Sequence, residues 1–176
     1  MNKDTAVQKL AESFEAVAEL VRSCSAEGLN HCEEEGKWPI IDHLRHLILS
    51  AKPVASSLKL SEEDILKICQ PSSPSRSYDS LEGLYQTLMR EKGSNTTPNF
   101  YPEHLQEYTV EELLSSWSMI RGKMVSRLGE WSEERLERNG LPHPRMGVFT
   151  MREMVYFTTF HNWHHEKIMS RIQALT

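Results

Sequence analysis

The sequence predicts an all-α protein: a four-helix bundle with a long crossover between its second and third long helices. Three observations carry that prediction. Four long stretches repeat apolar residues at spacings of three and four. Two of those stretches open on capping boxes. No segment shows the apolar–polar alternation, punctuated by turn dipeptides, that marks strands.

The first long helix is expected from about Thr5 to about Cys24, with Val7, Leu10, Phe14, Val17 and Val21 as its apolar stripe. Thr5 and Gln8 have capping-box spacing, and Gly28 marks the way out. The second begins near Pro39, a residue suited to a first helical position, and carries Ile40, Leu44, Leu47, Ile48 and Ala51. Pro53 removes a backbone donor, so a kink or an early end is expected there, with helix resuming to about Leu60. From Ser61 to Tyr108 the chain reads as an irregular crossover. It holds short helices at SEEDILKIC and SLEGLYQTLMREK and loops at PSSPSRS and GSNTTPNFYP. Neither side of it has an independent core pattern, so the whole chain reads as one domain, 1–176, with the crossover covering one end of the bundle. The third long helix starts at the Thr109–Glu112 capping box, with Tyr108 and Leu113 as a hydrophobic staple, and ends near Gly129. A helical turn in SEERLERNG and a loop, LPHPRMGVF, lead to the fourth. That helix starts at the Thr150–Glu153 capping box, stapled by Phe149 and Met154, and runs to about Leu175.

Composition narrows the function. The chain has 176 residues, 39% hydrophobic and 26% charged, and is long enough to bury a real core. Its net charge is −5, with no basic cluster, which argues against nucleic-acid binding. No apolar run reaches membrane-spanning length and the first residues lack a secretory pattern, so no membrane partner and a cytoplasmic location are expected. Cys24, Cys32 and Cys69 form no C-x-x-C pair, which speaks against a disulfide framework or a zinc ribbon. There is no P-loop, dinucleotide fingerprint, nucleophile elbow or H-E-x-x-H order.

Histidine is the unevenly placed residue: five of eight fall in two short stretches, His43 with His46 and His161 with His164 and His165. His161 and His165 are one turn apart, in the middle of the stripe made by Met154, Phe157, Ile168 and Ile172. Two imidazoles facing a bundle interior need partners, and a shared divalent metal supplies one to both. A third ligand has to come from another helix. The wheel slightly favours His43 over His46, but the stripe there is broad and leaves the choice open.

WPIIDHLRHLILSAKPV, with a His-Leu pair eight residues after its Trp, resembles the second helix of DinB-like proteins, the superfamily that includes the metal-dependent bacterial thiol transferases. GVFTMREMVYFTTFHNWHHEKIMSRI resembles that family's fourth helix, with its H-x-x-H-H pattern. The resemblance implies a DinB/YfiT-like bundle with three metal ligands, His46, His161 and His165, holding one divalent ion, Zn or Ni. It implies an open metal position, a small-molecule substrate such as a low-molecular-weight thiol made nucleophilic by the metal, and a homodimer. Glu166-Lys167 stands where many relatives have a small residue or Leu followed by Gln, which bears on substrate preference.

Other residues have plainer expectations. Asp42, Glu153 and Glu166 are candidates to orient a ligand imidazole, with Glu153 preferred as a cap. His43 and His164 are expected beside the site or exposed, and His31, His104 and His143 in loops, with His104 or His143 able to border a pocket. Trp163 points away from the core stripe, as an exposed aromatic on a partner surface would. The leading function is thus a metal-dependent thiol S-transferase or hydrolase. The alternative is a metal-binding or stress-response module without turnover, on the same bundle.

Overall fold

The computed structural model describes residues 1–93 and 96–176. Ser94 and Asn95, inside the loop expected at GSNTTPNFYP, lie outside the described residues. Four long helices dominate: α1 (Lys3–Ser23), α3 (Ile40–Ser57), α6 (Val110–Glu130) and α8 (Met151–Gln173). Short helices lie between them: α2 (Ala26–Asn30), α4 (Glu62–Ile68), α5 (Tyr78–Lys92) and α7 (Glu133–Arg138). Two 3-10 turns, Pro98–Phe100 and Pro102–Leu105, precede α6. No helix among the described residues is long and apolar enough to cross a membrane.

The long helices close into a ring in the order α1–α6–α3–α8, so α1 and α3, successive in sequence, sit on a diagonal. Their stripes meet in one core that includes Leu10, Phe14, Leu44, Leu47, Leu113, Met124 and Met169. Trp117 of α6 is 1% exposed, stacks on Phe14 with ring centroids 4.0 Å apart, and donates its indole N–H to the Phe14 carbonyl at 2.9 Å. Asn162 of α8 is buried because it donates to Ser13 Oγ of α1 at 3.0 Å, while Ser13 Oγ donates to the Leu10 carbonyl. That short chain satisfies polar groups that would be costly to bury alone.

The capping boxes expected for the third and fourth long helices both form. Thr109 with Glu112 opens α6, and Thr150 with Glu153 opens α8. The first helix starts differently from expectation: Asn2, not Thr5, is its cap and accepts from the Thr5 amide at 2.9 Å. Gly28 is not an exit but lies inside α2, whose cap is Ser25. Pro53 sits inside α3 without ending it. Tyr108, expected in a staple, is 48% exposed.

The sharpest departure is LPHPRMGVF. It is no loop but most of a two-stranded antiparallel ribbon, β1 (Gly140–His143) and β2 (Gly147–Thr150), with Leu141 opposite Phe149 and His143 opposite Gly147. Gly147, at φ +80°, supplies the left-handed residue that ends its tight turn. Gly140 is needed at the other end, where a Cβ would lie 2.6 Å from the Phe149 carbonyl oxygen and 2.8 Å from Pro71 Cγ. Ion pairs tie this end down: Arg152 of α8 bonds Glu133 and Glu137 of α7, and Arg76 of the crossover pairs with Glu153 at 2.6 Å. The crossover helix α5 packs along α8, and the 3-10 turns pack along α3. Both α3 and α8 are thereby covered on the side where their histidines face each other.

Candidate metal centre

Helical period decides which histidines meet. His43 and His46 of α3 and His161 and His165 of α8 are all buried, at 6–7% exposure, and face one another across the α3–α8 seam. One donor atom each from His46, His161 and His165 lies within 4.8 Å of the others. The His161 Nε2 atom is 3.1 Å from His165 Nε2 and 3.4 Å from His46 Nε2. A tetrahedral ion with metal–nitrogen distances of ~2.0–2.1 Å holds its imidazole nitrogens about 3.3 Å apart, so His161 is spaced from both neighbours as one ligand is from another. A single proton on His161 serves one neighbour well, whereas one divalent cation serves three lone pairs at once.

Tautomers are set from outside the cluster. His46 Nδ1 lies 2.9 Å from the Phe100 carbonyl oxygen, so it carries the proton and leaves Nε2 bare for a metal. His165 Nδ1 lies 2.8 Å from His43 Nδ1. His43 therefore stands behind the cluster as the partner that orients His165. Substituting His43 by Phe is expected to lower zinc affinity about 10–100-fold, as loss of an outer partner does. Competition against a chelating dye measures it, and affinity at the wild-type level would assign His43 no such role.

The carboxylates considered from sequence take no part. Asp42 pairs with Arg45 at 2.7 Å, Glu153 caps α8, and Glu166 accepts from Ser170 Oγ. The Phe100 carbonyl was not foreseen. It belongs to a backbone group more than fifty residues from His46, and no side-chain pattern marks it.

The histidines lie on the wall of a cavity of about 690 Å³. Trp38, Tyr85, His143, Phe157 and His164 also line it. His143, expected in a loop and able to border a pocket, is the last residue of β1 and does line the cavity; it stacks on Phe149 and meets the edge of Phe157, whose ring stacks on His161. His164 faces Tyr85, outside the cluster of three. His104 is exposed and is not among the cavity residues. Trp163 is half-buried, not the exposed aromatic expected of a partner surface.

Burial pushes the imidazoles towards neutrality. It lowers His161 and His165 well below 6.5, lowers His46, and brings His43 and His143 to about 4. Positive charge on neighbouring histidines would add to the effect for His43, His161 and His165. The linkage sign follows. The unfolded chain protonates near 6.5 while the fold resists until about 4, so this contribution is complete above 6.5 and is lost as pH falls towards 4. Urea midpoints of chelator-treated protein are expected to drop steadily from pH 7 to pH 5. A flat profile over that range would contradict the burial of these rings.

An all-α bundle with three converging imidazoles on an open cavity defines the class: a helical protein with a potential histidine metal site. The chain belongs to the DinB superfamily, whose family model matches residues 9–169. No curated protein matches it closely enough to count. Several solved structures share the fold, among them two four-helix bundles. One is YfiT from Bacillus subtilis, described as a probable metal-dependent hydrolase with an unusual four-helix bundle topology. Its TM-score is 0.63 at 19% identity, with 98% of this chain and 86% of that one covered. The other is TT2238, described as a four-helix bundle protein, with TM-score 0.62 at 17% identity over 97% and 99% of the two chains.

Proposed function

We propose that the protein is a metal-dependent enzyme acting on a small molecule, either a thiol S-transferase or a hydrolase, with one Zn or Ni ion held by His46, His161 and His165. The observation that carries this reading is the spacing of three imidazole nitrogens on the wall of an open cavity. When bound, such an ion supplies Lewis acidity and makes a thiol or water nucleophilic near neutral pH. The chain's own residues supply the rest. The Phe100 carbonyl and His43 hold two ligand rings in the required tautomer and orientation. Trp38, Phe157 and Tyr85 give the cavity apolar and aromatic walls that exclude bulk water. Burial keeps Tyr85 protonated, its hydroxyl pushed up to about 12, so it meets a ligand as a neutral group.

An open cavity supports turnover over a module that only stores metal. Thiol consumption with a generic electrophile, and hydrolysis of a generic ester, are to be measured with and without chelator. At least one activity is expected, removed by chelation and restored by zinc or nickel. Activity that ignores chelation would sink the mechanism. A homodimer and a cytoplasmic setting complete the proposal. The dimer rests on the family resemblance alone, because Trp163 is not exposed. Light scattering that returned the monomer mass at micromolar concentration would remove it.

A further inference from the structure

The metal cavity has a charge of its own. Five charged side chains line it: Glu33, Lys37, Glu103, Arg145 and Arg171. Three cations thus face two carboxylates, in a chain whose net charge is −5, before any metal is counted. Arg171 is already committed to Glu33 at 2.8 Å. Lys37 is exposed. Arg145 is half-buried and pairs with no carboxylate among the described residues. Among the described residues its guanidinium bonds neutral groups, the Gly93 carbonyl at 3.1 Å and Met89 sulfur at 3.8 Å. A guanidinium carries five N–H donors in a planar fork, so most remain for a ligand.

Arg145 is also held in place relative to the histidines. It sits in the turn of the β1–β2 ribbon, and its backbone amide donates to His143 Nδ1 at 3.2 Å. The His143 ring meets Phe157 at 4.5 Å, and Phe157 stacks on His161 at 5.0 Å. The charge of Arg145 reaches the cavity wall, where it acts on both the Tyr85 hydroxyl and the His143 ring. A positive group in a partly desolvated cavity, without an internal counter-ion, is matched by an anion on the ligand.

We infer that Arg145 is the anion-recognising residue of this cavity and that the substrate is a small molecule carrying a carboxylate, which Arg145 holds while the reacting group lies at the histidines. This specificity role rests on the metal-site reading above.

The test uses an isosteric pair, succinate and its neutral diamide succinamide, titrated by calorimetry into zinc-loaded protein. Wild type, Arg145→Gln and Arg145→Lys are compared, each checked for fold by thermal unfolding and for zinc content. Succinate is expected to bind wild type about tenfold more tightly than R145Q, a loss typical of one charge-assisted contact, with R145K in between. Succinamide binding is expected to be unchanged by either substitution. Succinate affinity equal in wild type and R145Q would overturn the inference, because the anion would then be held by the metal alone. So would failure of succinate to bind wild type. If the protein takes up no zinc, the metal-site reading fails by its own measurement, and the same titration on unloaded protein decides Arg145 by the same criterion.

Discussion

Trp117→Ala is expected to cost about 3–5 kcal/mol of folding stability, the range for removing a buried aromatic. The indole is 1% exposed, stacks on Phe14 at 4.0 Å and fills the α1–α6 seam. Its removal leaves a cavity the helices cannot close, because α1 and α6 are each pinned on a second side, by α8 and α3. The lost hydrogen bond to the Phe14 carbonyl is the smaller part, since that contact is worth about 1 kcal/mol net. Trp117→Phe keeps the stacking and loses the donor, so it should retain more than half of the lost stability. Urea unfolding, followed by circular dichroism, measures both. A Trp117→Ala protein within about 1 kcal/mol of wild type would mean that this seam is not packed as described.

His161→Ala is expected to lower zinc affinity by more than the roughly 100-fold that losing an outer partner costs, because a ligand atom itself is gone. His161 is the hinge of the cluster: its Nε2 is the atom close to both other nitrogens. The consequence reaches stability through mass action. Zinc at a thousand times its dissociation constant stabilises the native state by about 4.1 kcal/mol, and that gain should vanish in the variant. Metal-free, the variant should be no less soluble than wild type, since one buried imidazole among several has been removed. A thermal shift with zinc equal to that of wild type would place the metal elsewhere.

How far the sequence reached follows from what each signal depends on. The four long helices were legible because period and caps are local: Thr109 with Glu112, and Thr150 with Glu153, close their boxes within one turn. The start of α1 was misplaced because Asn2 and Thr5 are both competent caps, and spacing alone does not rank them. The ribbon at 140–150 was missed because two four-residue strands containing a proline give no alternation to read. Gly140 also fits closely against Pro71, a contact made across the fold.

At the site, the wheel identified the face but not the atom. His43 and His46 are equally buried, and what separates them is that one meets Nδ1 of His165 while the other points Nε2 at His161. The family resemblance pointed to His46, and the structure brings His46 together with His161 and His165. Neither the wheel nor the resemblance reached the Phe100 carbonyl, nor Arg145 in its turn, because both arrive through backbone geometry distant in sequence.

The central claim is that three imidazoles, one from α3 and two from α8, form a metal centre. X-ray absorption at the zinc edge, on untagged protein loaded with one equivalent of zinc, tests it most directly. The expected result is a first shell of nitrogen and oxygen at ~2.0–2.1 Å whose outer-shell scattering fits three imidazoles, with an imidazole lost in His161→Ala. A sulfur scatterer at ~2.3 Å, or a wild-type shell without imidazole scattering, would contradict it.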